Sequence, residues 1–286
     1  MNPTFPVDLS ATDISAYQAD GFVCTEGIFS ATELAAMRDA VDAEVARRTV
    51  DDGRSVAEKR IYEQSFVQCM RLWETSQAVR PFTCHAGLAG AAAQLMGVDS
   101  VLLWQDQALY KEAGGRETTP HQDQPFWPIG RVPLISAWIP LDDVTPENGA
   151  MAYMPGSHKL GALTVVDITH STEPYDIRND PALADVSARW VSAKAGSVIW
   201  HNGFTVHQAA ANRTASPRRV FTVVYIAAGF LRAREWPVFP LDRAGVAVGE
   251  EMRGEGMPML WPPSNTLPEP PAELGVATGP QYTQRR

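Results

Sequence analysis

Hydrophobic periodicity changes once along this chain, near residue 100, and that change restricts the fold more than any other feature of the sequence. Before it, apolar residues recur at helical spacing. Ser30 followed by Glu33 is a capping-box signature, and Leu34, Met37, Val41 and Val45 then mark one face of a helix running to about Arg48. Residues 13–20 predict a short helix stopped by Gly21, residues 22–25 a brief strand, and 51–58 a polar loop. Residues 63–75 and 79–96 predict two more helices, the second ending at Gly97. Beyond residue 100 the pattern becomes short β-branched and aromatic runs at 101–111, 134–141, 150–154, 163–168, 197–200, 205–210 and 220–226, separated by Gly, Pro, Asn and Asp. Such a chain is mainly β with flanking helices: an antiparallel sandwich or small barrel with helices packed outside it.

Two stretches are less regular. Residues 169–188 form a polar connection longer than ordinary loops, a length typical of lids and binding loops. Residues 231–286 are rich in Pro and Gly and are expected to wrap the surface, with Gln284, Arg285 and Arg286 a frayed end. We expect one domain over residues 1–286, with a helical lead-in (1–99), a β core (100–230) and that irregular wrap.

A 286-residue chain buries roughly 75% of its unfolded surface, so stability requires neither a metal nor a disulfide. A net charge of −9 argues against a broad basic face for nucleic acid, while leaving room for a small anion held by one or two arginines. Cys24, Cys69 and Cys84 are odd in number and lack metal-site or redox spacing, so reduced thiols are expected. Residues 1–11 show no secretory pattern, and residues 86–98 are too short and too rich in Ala and Gly to span a bilayer. A cytoplasmic location without a membrane partner is the expectation.

Chemistry concentrates in Thr119-Pro120-His121-Gln122-Asp123. On an extended strand, residues two apart share a face, so His121 and Asp123 can converge on one point. Two His and one carboxylate, with the opposite face open, is the ligand set of non-haem Fe(II) oxygenases. Two downstream histidines compete for the third position. His201 precedes the Asn202-Gly203 turn signal and lies at a strand end, whereas His207 sits inside the following run. Spacing alone leaves both open, with a slight edge to His207. Arg218 and Arg219 open the apolar run 220–226, where a buried guanidinium is costly unless paired. Either could take a carboxylate bidentately.

These residues fall in order with Trp138-Ile139-Pro140-Leu141-Asp142-Asp143, Glu147-Asn148-Gly149, Pro155-Gly156-Ser157-His158-Lys159 and Asn212. Together, from about Ile14 to Tyr225, the chain resembles the phytanoyl-CoA dioxygenase family of Fe(II)- and 2-oxoglutarate-dependent oxygenases. The resemblance implies a double-stranded β-helix (a jelly-roll, cupin-like barrel). It implies Fe(II) held by His121, Asp123 and His207, with Arg218 salt-bridged to the distal carboxylate of 2-oxoglutarate. By the family spacing it demotes His201 and Arg219. It further implies that Trp138, Gln107 and Thr118 face the cosubstrate, and that O2 is the oxidant. Two positions beyond the distal His, where the family often carries a hydroxyl that contacts 2-oxoglutarate, this chain has Ala209, which removes one hydrogen bond to the cosubstrate. Asp123 fills the position a halide would need, which disfavours halogenation.

The implied reaction is hydroxylation of an unactivated C–H bond of a small, partly apolar molecule, with 2-oxoglutarate converted to succinate and CO2. Desaturation and epimerisation are alternative outcomes of the same chemistry. A Zn-dependent hydrolase or isomerase using the same ligands is the alternative reading, and it would need no dicarboxylate clamp. Gln105, Gln107, Leu109 and Lys111 alternate on one strand face and predict a polar pocket wall, because inward Gln pairs are costly in a dry core. Phe126, Trp127, Trp73, Trp104 and Tyr110 offer apolar surface for a substrate mouth, or for core packing. Lys59, Arg60, Arg71 and Arg116 are the cations a coenzyme A thioester would require, or scattered solvated charges. His158, in the Pro155-Gly156-Ser157 turn, reads as a capping or surface residue, and His85 and His170 carry no supporting pattern. The sequence names neither the substrate nor the oligomeric state.

Overall fold

The computed structural model describes residues 7–169, 171–236 and 238–272. The expected frayed end at 284–286 and His170 lie outside the described residues. Helix α1 (Ala11–Asp20) starts where the Ser10 hydroxyl accepts from the Asp13 amide and stops at Gly21, whose φ of 82° only glycine adopts freely. Strand β1 (Phe22–Thr25) follows, then α2 (Ala31–Thr49), opened by the complete Ser30–Glu33 capping box. Next come β2 (Val67–Met70), the single turns α3 (Leu72–Thr75) and α4 (Arg80–Thr83), and α5 (Ala86–Met96).

The β region comprises β3 (Val101–Tyr110), β4 (Thr118–His121), β5 (Leu134–Pro140), β6 (Met151–Tyr153), β7 (Arg189–Val191), β8 (Val198–Asn202), β9 (His207–Ala209) and β10 (Val220–Ala227). A short helix, α6 (Phe239–Arg243), and β11 (Met259–Trp261) complete the described elements. Every strand pair is antiparallel. A seven-stranded sheet runs β1-β8-β5-β10-β3-β11, with β2 also on β3, and a four-stranded sheet runs β4-β9-β6-β7. The expected jelly roll is therefore present as two facing antiparallel sheets.

Alternation sorts the major sheet. Leu103, Ile135, Ala137, Trp200 and Val223 point outward and pack under Tyr17, Met37, Val41, Leu88 and Ala92 of the helices. Each such aliphatic burial contributes roughly 1.5–3 kcal/mol. The opposite face looks toward the minor sheet. A bulge at Trp104 keeps both sets in place: β10 register jumps from Val224↔Gln105 to Tyr225↔Leu103, so one extra residue is absorbed. Val101 and Leu103 thus stay under the helices while Gln105, Gln107 and Leu109 line the inter-sheet cavity.

Several sequence expectations need correction. Residues 63–75 are not one helix: only Leu72–Thr75 is helical, while Val67 and Cys69 are buried beneath α2 and Gln68 and Met70 face the cavity, a period of two that pairs with β3. The expected helix over 79–96 is broken at Cys84-His85, where the His85 ring accepts from the Leu88 amide and starts α5 anew. Residues 163–168 form no strand. The Leu163 amide donates to the Gln122 side chain instead of a ladder, and Val166 anchors a small cluster with Met154, Ile177, Leu183 and Val206. Strands β7 and β11 were not anticipated. Their three-residue lengths carry too little pattern to read.

Candidate metal centre

The two sheets enclose a cavity of about 250 Å³. From the minor sheet it receives His121 at the end of β4 and His207 at the start of β9, residues paired across the ladder. Asp123 does not lie on the strand. Its backbone is helical (φ −76°, ψ −49°) as the chain turns into the Gln124–Phe126 helical turn. Asp123 therefore does not share with His121 the strand face expected from the spacing; its carboxylate reaches back toward that ring from the turn. Ligand atoms of His121, Asp123 and His207 all lie within 4.8 Å of one another.

Both imidazoles are oriented by the carbonyl two residues earlier. His121 Nδ1–H donates to Thr119 O at 2.7 Å and His207 Nδ1–H to Thr205 O at 2.9 Å. A carbonyl only accepts, so Nδ1 carries the proton in each ring and the Nε2 lone pairs face inward, as a metal requires. Asp123 Oδ1 lies 3.4 Å from His121 Nε2 and 3.7 Å from His207 Nε2. Burial pushes His207 down to about 3, so it is neutral at physiological pH. Burial opposes ionisation of Asp123, but His207, His121 and His201 outweigh it and hold the carboxyl well below the usual carboxylate range. The neutral His207 imidazole beside an ionised carboxylate, with His121 turned to the same point, forms a donor set suited to a divalent cation.

His201, demoted on sequence grounds, is also in the cavity, with Nε2 3.4 Å from Asp123 Oδ2. It points inward by the alternation of β8, in which Val198 and Trp200 face the helices and Ile199 and His201 the interior. That period of two was the signal available in the sequence.

Arg218 enters from the major sheet. It is 2% exposed, with its guanidinium carbon 5.3 Å from the Trp138 ring centroid and Nη1 donating to Leu109 O at 3.3 Å. Among the described residues no carboxylate pairs with it, and its Nε has no partner. Desolvation pushes its pKa down to about 9. Arg219 points the other way and is bridged to Asp42 and Asp142 at 2.6 and 2.5 Å. The hydroxyls of Ser136 and Thr222 line the same cavity, buried and unpartnered. Both lie on the period-two face that holds Trp138, so alternation would have found them where motif reading did not. A buried cation and two idle hydroxyls fit an anionic, oxygen-rich ligand such as a dicarboxylate.

The remaining sequence candidates divide. Thr118, Gln105, Gln107, Phe126 and Trp127 all line the cavity. Trp73 and Trp104 are core residues, and the Tyr110 hydroxyl donates to Asp42. Lys111 departs from the predicted wall: it is fully buried and donates to the Arg116 carbonyl. Lys59, Arg60, Arg71 and Arg116 are not on the cavity wall. Lys59 pairs with Glu112, and Arg71 stacks on Phe239. Tyr62, Phe66, Gln68 and Met70 complete one wall, and Ile168 and Thr169 bring the long connection onto it. Phe66, Gln68 and Met70 escape a sequence reading that makes 63–75 a helix, and Tyr62, Ile168 and Thr169 lie on connections whose course no periodicity marks.

A jelly roll holding such a ligand set beside an unpaired arginine defines an Fe(II)- and 2-oxoglutarate-dependent oxygenase. Comparison with known proteins places the chain within that class. It belongs to the phytanoyl-CoA dioxygenase family, whose profile matches residues 17–220. It is 27% identical over 234 residues to the ectoine dioxygenase of Sphingopyxis alaskensis, covering 76% of each chain. Among solved structures, it is similar to the non-haem alpha-ketoglutarate-dependent carbocyclase SnoK from nogalamycin biosynthesis (TM-score 0.74, 28% identity, 91% of this chain and 99% of that one). It is also similar to the epimerase SnoN in complex with Fe3+, alpha-ketoglutarate and nogalamycin RO (TM-score 0.70, 25% identity, 87% and 97%). The cofactors are iron and 2-oxoglutarate, with O2 consumed. No described helix is long and apolar enough to cross a membrane.

Proposed function

We propose that this enzyme hydroxylates an unactivated C–H bond of a small, uncharged, partly apolar molecule, with the metal held by His121, Asp123 and His207 and 2-oxoglutarate clamped by Arg218. The observation that carries the reading is the unpaired, buried Arg218 sharing one cavity with the ligand set. A Zn-dependent hydrolase would have no use for that cation.

When bound, Fe(II) and 2-oxoglutarate supply the oxidising chemistry, with succinate and CO2 as co-products. The chain's residues do the positioning. The Nδ1 hydrogen bonds fix His121 and His207, and the carboxylate of Asp123 balances part of the cation's charge. Arg218 takes the far carboxylate, flanked by Trp138, with Ser136 and Thr222 as hydroxyl donors in place of the group that Ala209 lacks. Gln107 and Thr118 complete the polar end.

The substrate end is formed by Phe126, Trp127, Tyr62, Phe66, Met70 and Ile168, with Gln105 a further polar contact. The Tyr62 hydroxyl donates to Gln68 Oε1 at 3.0 Å and Gln68 Nε2 to Gln107 Oε1 at 2.6 Å, a polar rail along an otherwise apolar wall. Among the described lining residues there is no Lys or Glu, and Arg218 and Asp123 are committed to cosubstrate and metal. An uncharged substrate suits such a wall better than a coenzyme A thioester. We treat residues 1–286 as one oxygenase unit in which helices cover the major sheet and β11, from the C-terminal segment, extends it.

A second outcome of the same chemistry, cyclisation or epimerisation, is favoured by the likeness to the carbocyclase and the epimerase. A metabolite screen read by Fe(II)-dependent succinate release tests the reading. Mass spectrometry of the product then separates the outcomes: one added oxygen for hydroxylation, two lost hydrogens for desaturation or ring closure, unchanged mass for epimerisation. Intact Fe(II) binding with no succinate formed from any substrate would overturn it.

A further inference from the structure

We propose that His201 is a positioning residue for Asp123, a role assigned to it neither by sequence nor by the ligand set. The inference rests on the metal-centre reading above. His201 Nε2 lies 3.4 Å from Asp123 Oδ2, whereas His121 and His207 approach the other oxygen, Oδ1. The carboxylate is thus addressed from two sides, one oxygen toward the ligand pair and one toward His201.

The hydrogen on His201 follows from its other neighbour. Its Nδ1 lies 3.3 Å from the buried Tyr153 hydroxyl. The Nε2 lone pairs of His121 and His207 face Asp123 Oδ1 across the space a metal would fill, but His201 lies outside that cluster. With Nδ1 alone protonated, its bare Nε2 lone pair would meet the anionic Oδ2 with no cation between them, a repulsive contact in a buried site. The arrangement that satisfies every atom has the Tyr153 hydroxyl donating to Nδ1 and Nε2–H donating to Asp123 Oδ2. This tautomer is opposite to that of His121 and His207, whose Nδ1 atoms donate to carbonyls. His201 is built as a donor to a ligand, and they as ligands. The relay joins the sheets, Tyr153 standing on β6 and His201 on β8. Tyr153 is held by stacking on Phe22 at 4.6 Å and 19°.

Holding Oδ2 in a hydrogen bond leaves Oδ1 as the single donor from Asp123. A metal held by these three protein donors would keep positions open for a chelating 2-oxoacid and O2. If Asp123 were free to rotate and bind through both oxygens, one of those positions would be lost. His201 is not itself within the cluster of mutually close ligand atoms.

The test is anaerobic Fe(II) titration of the wild type, His201→Phe, His201→Gln and Tyr153→Phe, followed by 2-oxoglutarate. The readouts are Fe(II) affinity, the visible charge-transfer band that 2-oxoglutarate produces on Fe(II), and metal-free thermal stability. Loss of such an outer partner costs roughly 10–100-fold in metal affinity. We expect His201→Phe to show that loss and an altered band. His201→Gln, whose amide keeps a donor at similar reach, recovers most of both. Tyr153→Phe, which keeps the ring stacking, shows a smaller loss in the same direction. Wild-type affinity and band in His201→Phe would overturn the proposal, as would a Gln variant no better than Phe. If His201→Phe does not fold, the Gln and Tyr153 variants decide it. Wild-type protein that takes up no Fe(II) would instead refute the metal centre itself.

Discussion

Arg218 and Arg219 are sequence neighbours just before β10 that end in opposite surroundings. Arg218 is buried against Trp138 with no carboxylate partner among the described residues, while Arg219 is bridged to Asp42 and Asp142. Strand alternation alone sends them to different faces. The consequence is energetic: the outer arginine has its charge paired within the protein, whereas the inner one, bonded to the Leu109 carbonyl, keeps a charge for an anion in the cavity to pair.

That asymmetry predicts opposite responses to mutation. Arg218→Met removes a buried charge that the apo protein does not pair, so metal-free stability is unchanged or higher. The same change loses at least about 2 kcal/mol of 2-oxoglutarate binding, roughly 30-fold in affinity. Arg219→Gln removes half-exposed ion pairs worth about 1 kcal/mol or less, with cosubstrate affinity unaltered. Thermal denaturation and calorimetric titration with 2-oxoglutarate distinguish the two.

Ser136 and Thr222 present buried hydroxyls without partners. Ser136→Ala and Thr222→Val therefore leave apo stability equal or slightly raised. Each weakens 2-oxoglutarate binding by about 0.5–1.5 kcal/mol, the net worth of one hydrogen bond. A fall in apo stability without any change in 2-oxoglutarate affinity would show that these hydroxyls serve packing.

Asp106 gives a pH prediction away from the site. It is fully buried on β3, with Oδ2 accepting from the Trp73 amide and the Thr83 hydroxyl and Oδ1 unpartnered. Desolvation raises it from 3.8 to about 6, against the lowering effect of those hydrogen bonds. Because the folded state holds this proton more tightly than the unfolded chain, its contribution is fully present below about 4. It is lost as pH rises from about 4 through about 6, on the order of 3 kcal/mol in total. Urea midpoints between those pH values should fall less steeply with rising pH in Asp106→Asn than in the wild type.

The contribution of sequence and structure differs by element. The capping box at Ser30 and the β-branched run before Tyr225 were legible because local chemistry and tertiary packing demand the same thing there. Residues 67–70 were not, because a four-residue strand carries little pattern and its role depends on pairing with β3. The candidate ligand set was approachable through His121 and Asp123, although Asp123 reaches its place through a helical turn and not along the strand. Ser136 and Thr222 escaped, and His201 was weighed only as a rival ligand, because what faces each of them across the cavity is not revealed by spacing within one strand. Their period-two positions were visible; their partners were not.

The most direct test of the central claim is a crystal structure of the protein soaked anaerobically with Fe(II) and 2-oxoglutarate. The expected result is one iron bound by His121 Nε2, Asp123 Oδ1 and His207 Nε2, with the distal carboxylate of 2-oxoglutarate against Arg218 and His201 hydrogen-bonded to Asp123 Oδ2. Iron bound through His201 in place of His207, or 2-oxoglutarate seated away from Arg218, would contradict it.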